Sequence, residues 1–298
     1  MRVKSVISAT CLLLCTFILA VSCDQTFEPL QENDKYHFSI YGTLNAAADT
    51  QWVRIGVPRG NINETPDPTG ITVTLEDVET GQKAVMQDSL FVSKDLLNYW
   101  TTMPLENEHT YQIHAKRDDG KASVVTVTMP MELPTPLVIN NNVPPLGFNI
   151  YINNSVEHIA DIQTKWYVLL SPQTERIKRT YTFTYRNSVI RVPTYGGAWY
   201  AFANTTEEKE YISRINPNIE IEVLHRQFFV ASGGPEWDED IPSIDDLEYF
   251  LDGTASNVEN GLGYVVGIDS KWMPYKACVL PDSSNVTPCE PEEPFWYE

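Results

Sequence analysis

Short runs in which apolar and polar residues alternate constrain the fold of this chain more than any other feature. Alternation with a period of two places successive side chains on opposite faces of a β-strand, so that one face can be buried. Residues 83–88 and 98–102 show this alternation less clearly and are predicted as weaker strands. The clear runs between residues 36 and 130 are FSI at 38–40, VRIGV at 53–57, ITVTLE at 71–76, YQIHAK at 111–116 and VVTVTM at 124–129.

Turn signals separate these runs, and Asp119-Gly120 is a strong hairpin signal between two of them. Seven short strands in about 95 residues are typical of an antiparallel β-sandwich of the immunoglobulin or fibronectin type. Leu105 stands six residues before Tyr111, the spacing of the tyrosine corner found in such domains. We therefore predict an immunoglobulin-like β-sandwich over 36–130, in which the Tyr111 hydroxyl bonds back to the preceding turn.

A Pro-dense stretch follows this first set of strands, and we predict a linker at 131–138. The remaining residues, 139–298, read as a second β-rich domain with two short helices and an acidic C-terminal tail. Thr205 with Glu208 has capping-box spacing at the start of the first helix, and Ser243 opens the second. The predicted fold class is therefore all-β. In the second predicted domain, strands are expected at 147–152, 165–171, 179–186, 197–203, 219–231 and 262–269.

The first 22 residues have the pattern of an export signal. Arg2 and Lys4 make a basic start, an apolar run extends from Val6 to Val21, and Cys23 follows a small residue. The segment ending at Cys23 resembles the lipobox of bacterial lipoproteins, in which the cysteine is lipidated after cleavage. That resemblance implies a lipid such as palmitate on Cys23 and a polar tether over 23–35. The alternative is an ordinary signal peptide, with Cys23 incidental.

The charge of the chain is strongly negative. Its 21 basic and 40 acidic residues give a formal net charge of -19, and removal of the signal peptide with its two bases gives -21. Binding to nucleic acid requires clustered Lys and Arg, so we expect no nucleic-acid partner. An acidic surface is compatible with cation binding and with simple solubility.

Two cysteines, Cys278 and Cys289, lie outside the N-terminal segment. An even pair in an exported chain suggests a disulfide, which here would close a short loop containing proline. Two free thiols are the alternative. Neither cysteine has the spacing of a zinc site.

A search for catalytic motifs finds no nucleophile elbow, zinc-protease helix, phosphate-binding loop or dinucleotide fingerprint. The best candidate site is the acidic segment GGPEWDED at 233–240. Asp238 and Asp240 alternate and could share a calcium ion, and Trp237 could stack on a sugar or a peptide. The alternative is a solvated acidic loop that leads into a helix. We expect Trp199, in contrast, to lie in the core.

Several segments together resemble a family of bacterial surface lipoproteins that contains a domain of unknown function. The matching pieces are Cys23 with its short tether, GITVTLEDVETGQ at 70–82, YWTTMPLENEHTYQIHA at 99–115, the TMP at 128–130 and SNVENGLGYVVG at 256–267. The family is typical of Bacteroidota outer membranes and is often encoded near TonB-dependent receptors. The resemblance implies a lipid-anchored protein of the outer membrane, at the cell surface, and it assigns no catalytic residue.

Three functional hypotheses follow. The favoured one is a non-enzymatic cell-surface lipoprotein, a binding or accessory module for a TonB-dependent receptor or for an extracellular glycan or peptide. The second is a surface glycan hydrolase that uses paired carboxylates, because glycosidases set two acids across a cleft. The third is a structural or adhesive module of the surface layer.

Overall fold

The computed structural model describes residues 36–57, 67–91, 96–171, 176–193, 196–237, 256–278 and 290–295. All of them belong to one compact unit, which covers 35–58 and 65–298. The described chain is mostly strand, and this confirms the predicted all-β fold class. The second predicted helix, at 243–253, lies outside the described residues.

In the part of the chain that the structure describes, eight strands precede the predicted linker. They are β1 Phe38–Asn45, β2 Gln51–Gly56, β3 Ile71–Asp77, β4 Lys83–Val85, β5 Gln87–Phe91, β6 Leu96–Thr101, β7 Thr110–Arg117 and β8 Ala122–Thr128. Among the described residues after it, nine more strands and the helix α1 follow. They are β9 Leu137–Asn141, β10 Gly147–Ile152, β11 His158–Ser171, β12 Ile177–Thr184, β13 Ile190–Val192, β14 Ala198–Asn204, α1 Thr205–Ile215, β15 Glu220–Gly233, β16 Val258–Glu259 and β17 Gly261–Pro274.

The strands form three sheets. The largest has eight strands in the order β12-β11-β15-β17-β1-β2-β6-β5, and β1 runs parallel to β17, with Phe38 opposite Gly261. A four-stranded sheet has the order β13-β14-β10-β9, and a five-stranded sheet has the order β16-β8-β7-β3-β4. Strands from both sides of 131–138 therefore join in one sheet. The division into two domains stays a prediction, because strand pairing alone does not show which segments fold independently.

The eight-stranded sheet contributes to both of the larger apolar cores among the described residues. In the first, Ile40 and Val53 of the large sheet pack in one cluster with Val73, Ile113 and Val125 of the five-stranded sheet. The alternating pattern of these strands explains the arrangement, since each strand offers one apolar face. The second core joins the other half of the large sheet to the four-stranded sheet, and its residues include Ile150, Ile162, Trp199, Phe228 and Val230. The immunoglobulin-like topology of the first half stays a prediction.

The predicted bond of Tyr111 is present. The Glu106 N–H donates to the Tyr111 hydroxyl at 2.8 Å, and both Tyr111 and Leu105 are buried. The contact ties the segment before β7 to the first core. It confirms the hydrogen bond that the spacing of Leu105 and Tyr111 predicts.

Gly263 is required where β17 lies beside β1. Its φ is +129°, a backbone conformation that residues other than glycine rarely adopt. A Cβ there would overlap the carbonyl oxygen of Ile40. The close approach of these two backbones belongs to the parallel pairing of β1 with β17. The glycine thus secures the contact between segments more than 200 residues apart in the sequence.

Candidate functional site

Helix α1 begins one residue earlier than its capping pattern suggests. Asn204, not Thr205, is the N-cap residue, and its Oδ1 accepts hydrogen bonds from the Thr206 and Glu207 N–H groups, both at 3.2 Å. The predicted capping box of Thr205 with Glu208 is therefore wrong. Asparagine is a strong N-cap because its carbonyl satisfies free N–H groups of the first turn. Glu208 is thereby left to face inward.

Two residues of α1 are buried, Glu208 and Ile212. They stand four positions apart and so lie on the same face of the helix. Ile212 packs at the β12 end of the large sheet, against Trp166, Val168 and Leu170 of β11. The helix is therefore held to the sheet by one apolar and one acidic side chain.

The Glu208 carboxylate is enclosed by hydrogen-bond donors. Glu208 is 1% exposed. Tyr185 Oη donates to Oε1 at 2.6 Å, and Thr164 Oγ1 donates to the same oxygen. Trp166 Nε1 donates to Oε2 at 2.9 Å, and Tyr275 Oη donates to it at 2.7 Å. Two bonds on each oxygen fill the acceptor positions of an ionised carboxylate.

The two tyrosines stay protonated in this environment. Burial, and then the charge of Glu208, raise the pKa of Tyr185 and of Tyr275 far above the ordinary value. Both hydroxyls therefore remain donors. Arg226 lies behind this cluster, with its guanidinium carbon 4.8 Å from the Trp166 ring centroid and 4.4 Å from that of Tyr275. Its positive charge acts to lower the pKa of Tyr275, but burial outweighs this effect.

A groove of about 660 Å³ opens above this cluster, between α1 and β12. Phe183 and Tyr211 line it, with ring centroids 5.6 Å apart in an edge-to-face arrangement. Glu207 and Glu210 add carboxylates, and Arg214 places its guanidinium carbon 5.7 Å from the Tyr211 centroid. Tyr211 is 43% exposed. The groove thus offers an aromatic surface with charged groups of both signs, above a floor fixed by Glu208.

The structure describes residues 233–237 of the predicted acidic segment, and these include Trp237. Its ring packs beside a small cluster that contains Ala231 and Ile268, and the Arg186 guanidinium carbon lies 4.4 Å from the ring centroid. A Cβ at Gly233 would stand 2.7 Å from the Cβ of Trp237, so the Gly-Gly lead-in allows this close contact. Its role in binding a ligand stays a prediction.

Of the other predicted site residues, the structure describes Cys278 alone. Asp238 and Asp240, with their proposed calcium ion, lie outside the described residues, and so do Cys23 and Cys289. Cys278 is fully buried in the second core, and its backbone bridges to Val138. The Cys278–Cys289 disulfide stays a prediction.

A different group could offer ligand atoms to a metal ion. Atoms of Asp77, Glu79 and His109 lie within 4.8 Å of one another. The carboxylate oxygens of Asp77 and Glu79 already accept hydrogen bonds from backbone N–H groups. Asp77 Oδ1 accepts from the Glu79 N–H at 2.9 Å, Asp77 Oδ2 lies 3.0 Å from His109 Nδ1, and Glu79 Oε2 accepts from the Thr110 N–H at 2.8 Å. These bonds account for the cluster as a structural link between the turn and β7.

Asp77 and His109 each shift the pKa of the other. The hydrogen bond to Asp77 raises the pKa of His109 above its ordinary value. Burial acts to raise the pKa of Asp77, but the hydrogen bonds from His109 and Thr80 outweigh it and leave that pKa lowered. The pair is therefore favoured as imidazolium and carboxylate.

Sequence reasoning places Trp199 correctly and misses the Glu208 cluster. Trp199 is buried, and its Nε1 donates to the Val156 carbonyl at 2.8 Å, which confirms its place in the core. The only local signal for a buried Glu208 is Ile212 four residues later. The donors around Glu208 come from residues that lie from 23 to 67 positions away.

No family model and no curated protein matches the sequence. The chain shows a weak similarity to the crystal structure of pullulanase complexed with maltotriose from Anoxybacillus sp. LM18-11. The identity is 12%, the match covers 65% of this chain and 24% of that chain, and the TM-score is 0.19. A score this low carries no argument. Within the described residues, no helix is long and apolar enough to span a membrane.

Proposed function

We propose that this protein is a non-enzymatic binding module, held at the outer-membrane surface by a lipid on Cys23, and that it contacts its partner through the groove beside α1. The observation that supports binding rather than catalysis by Glu208 in this groove is its hydrogen bonding. A general acid or base must exchange a proton with its substrate. Glu208 is buried, and both its oxygens are saturated by protein donors, so its carboxylate serves the structure.

The upper part of the groove suits a protein partner. Interfaces are enriched in exposed tyrosine and arginine, which combine a large apolar area with polar groups. Tyr211 and Arg214 provide these groups, and the carboxylates of Glu207 and Glu210 stand beside them. The net charge of -19 favours a partner whose facing surface is basic. With the resemblance to surface lipoproteins, this supports a TonB-dependent receptor as the first partner to test.

Co-purification from native membranes tests this proposal. The tagged, lipidated protein is extracted in mild detergent, and the proteins retained with it are identified and quantified by mass spectrometry. We expect a receptor in stoichiometric amount. Tyr211→Ala and Glu210→Lys should reduce its recovery at least about tenfold, as for residues at the centre of an interface.

Val85→Ala is the matched control, because Val85 lies on β4 and is 70% exposed. It should retain the partner. Equal recovery with the groove variants, or an absence of any stoichiometric partner, would contradict the proposal. Release of reducing sugar from oligosaccharides by the purified protein would favour the hydrolase hypothesis instead.

The lipid anchor has a separate test. Cys23→Ala removes the thiol that would carry the lipid. We expect this variant to leave the membrane fraction, whereas Cys278→Ala should remain there if it folds. A Cys23→Ala protein that stays with the membrane would remove the basis for the anchor, without bearing on the groove.

A further inference from the structure

A second surface, remote in sequence from the groove, carries an unusual pair of aromatic side chains. Trp52 on β2 and Trp100 on β6 are direct cross-strand partners, and their rings stack with centroids 5.8 Å apart and an angle of 30° between planes. Trp52 is 43% exposed, and Tyr41 on the neighbouring strand β1 is 42% exposed. We call the face that bears Tyr41, Trp52 and Trp100 the tryptophan face.

The period of the strands fixes this face outside the core. In β2, Gln51, Val53 and Ile55 are buried, so Trp52 and Arg54 point to the opposite side. The first core already lies against the buried side. The rings on the tryptophan face are therefore not needed to fill that core. Large apolar side chains grouped on an exposed face mark an interaction site more often than isolated ones do.

The neighbours of the rings are polar. The strand register places Thr43 opposite Trp52 and Gln87 opposite Trp100. One rung away, it aligns Tyr41, Arg54 and Asn98. Adjacent strands are about 4.8 Å apart, so each ring has a hydrogen-bonding side chain within reach of a ligand that lies on it.

We propose that the tryptophan face binds a neutral oligosaccharide. A sugar ring presents an apolar face of C–H groups and a rim of hydroxyls. Stacked aromatic rings match the apolar face, and amide, hydroxyl and guanidinium groups match the rim. Arg54 is the one basic residue among the aligned positions, in a chain of net charge -19, so an anionic polymer does not fit. The face is open, so the sugar can be part of a longer chain.

This inference does not depend on the groove or on a protein partner. The two sites use different residues, with Tyr211 and Glu210 at the groove and Trp52 and Trp100 here. A glycan-binding face at the cell surface would bring the polymer to the protein while the groove holds its partner. Failure at one site therefore leaves the other standing.

Calorimetric titration of the full-length, detergent-solubilised protein tests the inference. The probes are maltohexaose, cellohexaose, xylohexaose and mannohexaose, with tryptophan fluorescence recorded in parallel. We expect at least one probe to bind and to change the fluorescence. The double variant Trp52→Thr/Trp100→Thr should weaken that binding at least about tenfold, and threonine is chosen because it is a good strand former.

Two further variants keep the result decisive. Arg54→Ala removes a hydrogen-bonding group and leaves both rings, so binding should fall severalfold with the fold intact. Tyr211→Ala removes a tyrosine of similar exposure at the groove and should leave sugar binding unchanged. The inference is overturned if no probe binds, if the tryptophan variants bind like the parent, or if Tyr211→Ala abolishes binding. A concentration-dependent dimer lost in the tryptophan variants, without sugar binding, would assign the face to a second copy.

Discussion

The indole Nε1 of Trp166 donates a 2.9 Å hydrogen bond to Glu208 Oε2, and this contact joins strand β11 to helix α1. Three hydroxyl groups complete the shell around the same carboxylate. A buried charge is tolerated only when its hydrogen-bonding capacity is met. The cluster therefore fixes the position of α1, and with it the wall of the groove that presents Tyr211.

The Glu208 cluster predicts a specific loss of stability. Glu208→Gln keeps the shape of the side chain but replaces one acceptor oxygen with an amide donor, which then faces a donor already in place. We expect the free energy of unfolding to fall by about 3 kcal/mol, from one or two unsatisfied buried groups. Urea unfolding measures it. Glu207→Gln, on the exposed neighbouring residue, should change it by less than about 0.5 kcal/mol. Similar values for the two variants would show that the cluster is not stabilising.

The pair of Asp77 and His109 predicts how stability depends on pH. The folded pKa of His109 is raised above its ordinary 6.5, so its contribution is complete below pH 6.5 and is lost as pH rises through the raised value. The folded pKa of Asp77 is lowered from 3.8, so its contribution is present above that pH and is lost as pH falls through the lowered value. The link is therefore strongest between these limits.

Thermal unfolding from about pH 5.5 to about pH 8.5 checks the upper limit. In the parent protein, this pair should lower the unfolding temperature as pH rises through the raised pKa of His109. In His109→Gln, that part of the decline should disappear. Asp77→Asn should remove it too, while its Oδ1 still accepts from the turn amides. A parent-like slope in both variants would rule out the pair as its source.

Gly263 predicts a second loss of stability, of different origin. Gly263→Ala would place a Cβ onto the Ile40 carbonyl and would strain a backbone with φ of +129°. We expect a loss of about 3 kcal/mol or more, because the parallel pair β1–β17 must separate to admit the methyl group. Gly81→Ala is the control: φ there is +71°, but the space around it is open, so only about 1 kcal/mol of backbone strain is expected. Equal losses would mean that the contact with Ile40 is unimportant.

The local pattern of the sequence predicts most strands well. The runs at 71–76, 111–116 and 147–152 correspond to β3, β7 and β10, because alternation reports the buried face directly. The hydrogen bond of Tyr111 is also predicted, since its partner Glu106 stands only five residues away. Features that depend on nearby residues are accessible in this way.

Features that depend on distant residues are not accessible from the local pattern. The parallel pairing of β1 with β17 leaves no trace in either strand, and the short strands β9, β13 and β16 carry too few residues to show a period. The donors around Glu208 come from β11 and from the residues that directly follow β12 and β17, whereas Glu208 itself is on α1. An acidic residue in a polar helix looks solvated until its partners are known. The same holds for the stacking of Trp52 on Trp100, which requires the register of β2 and β6.

The most direct test of the central claim is photo-crosslinking from the groove in living cells. A photoreactive benzoylphenylalanine replaces Tyr211 in the lipidated protein, and in a matched strain it replaces Ile190, which is also exposed but does not line the groove. If the groove holds a partner at the cell surface, illumination will join position 211, and not position 190, to one outer-membrane protein. No crosslink from position 211, or the same products from both positions, would contradict a binding role for the groove.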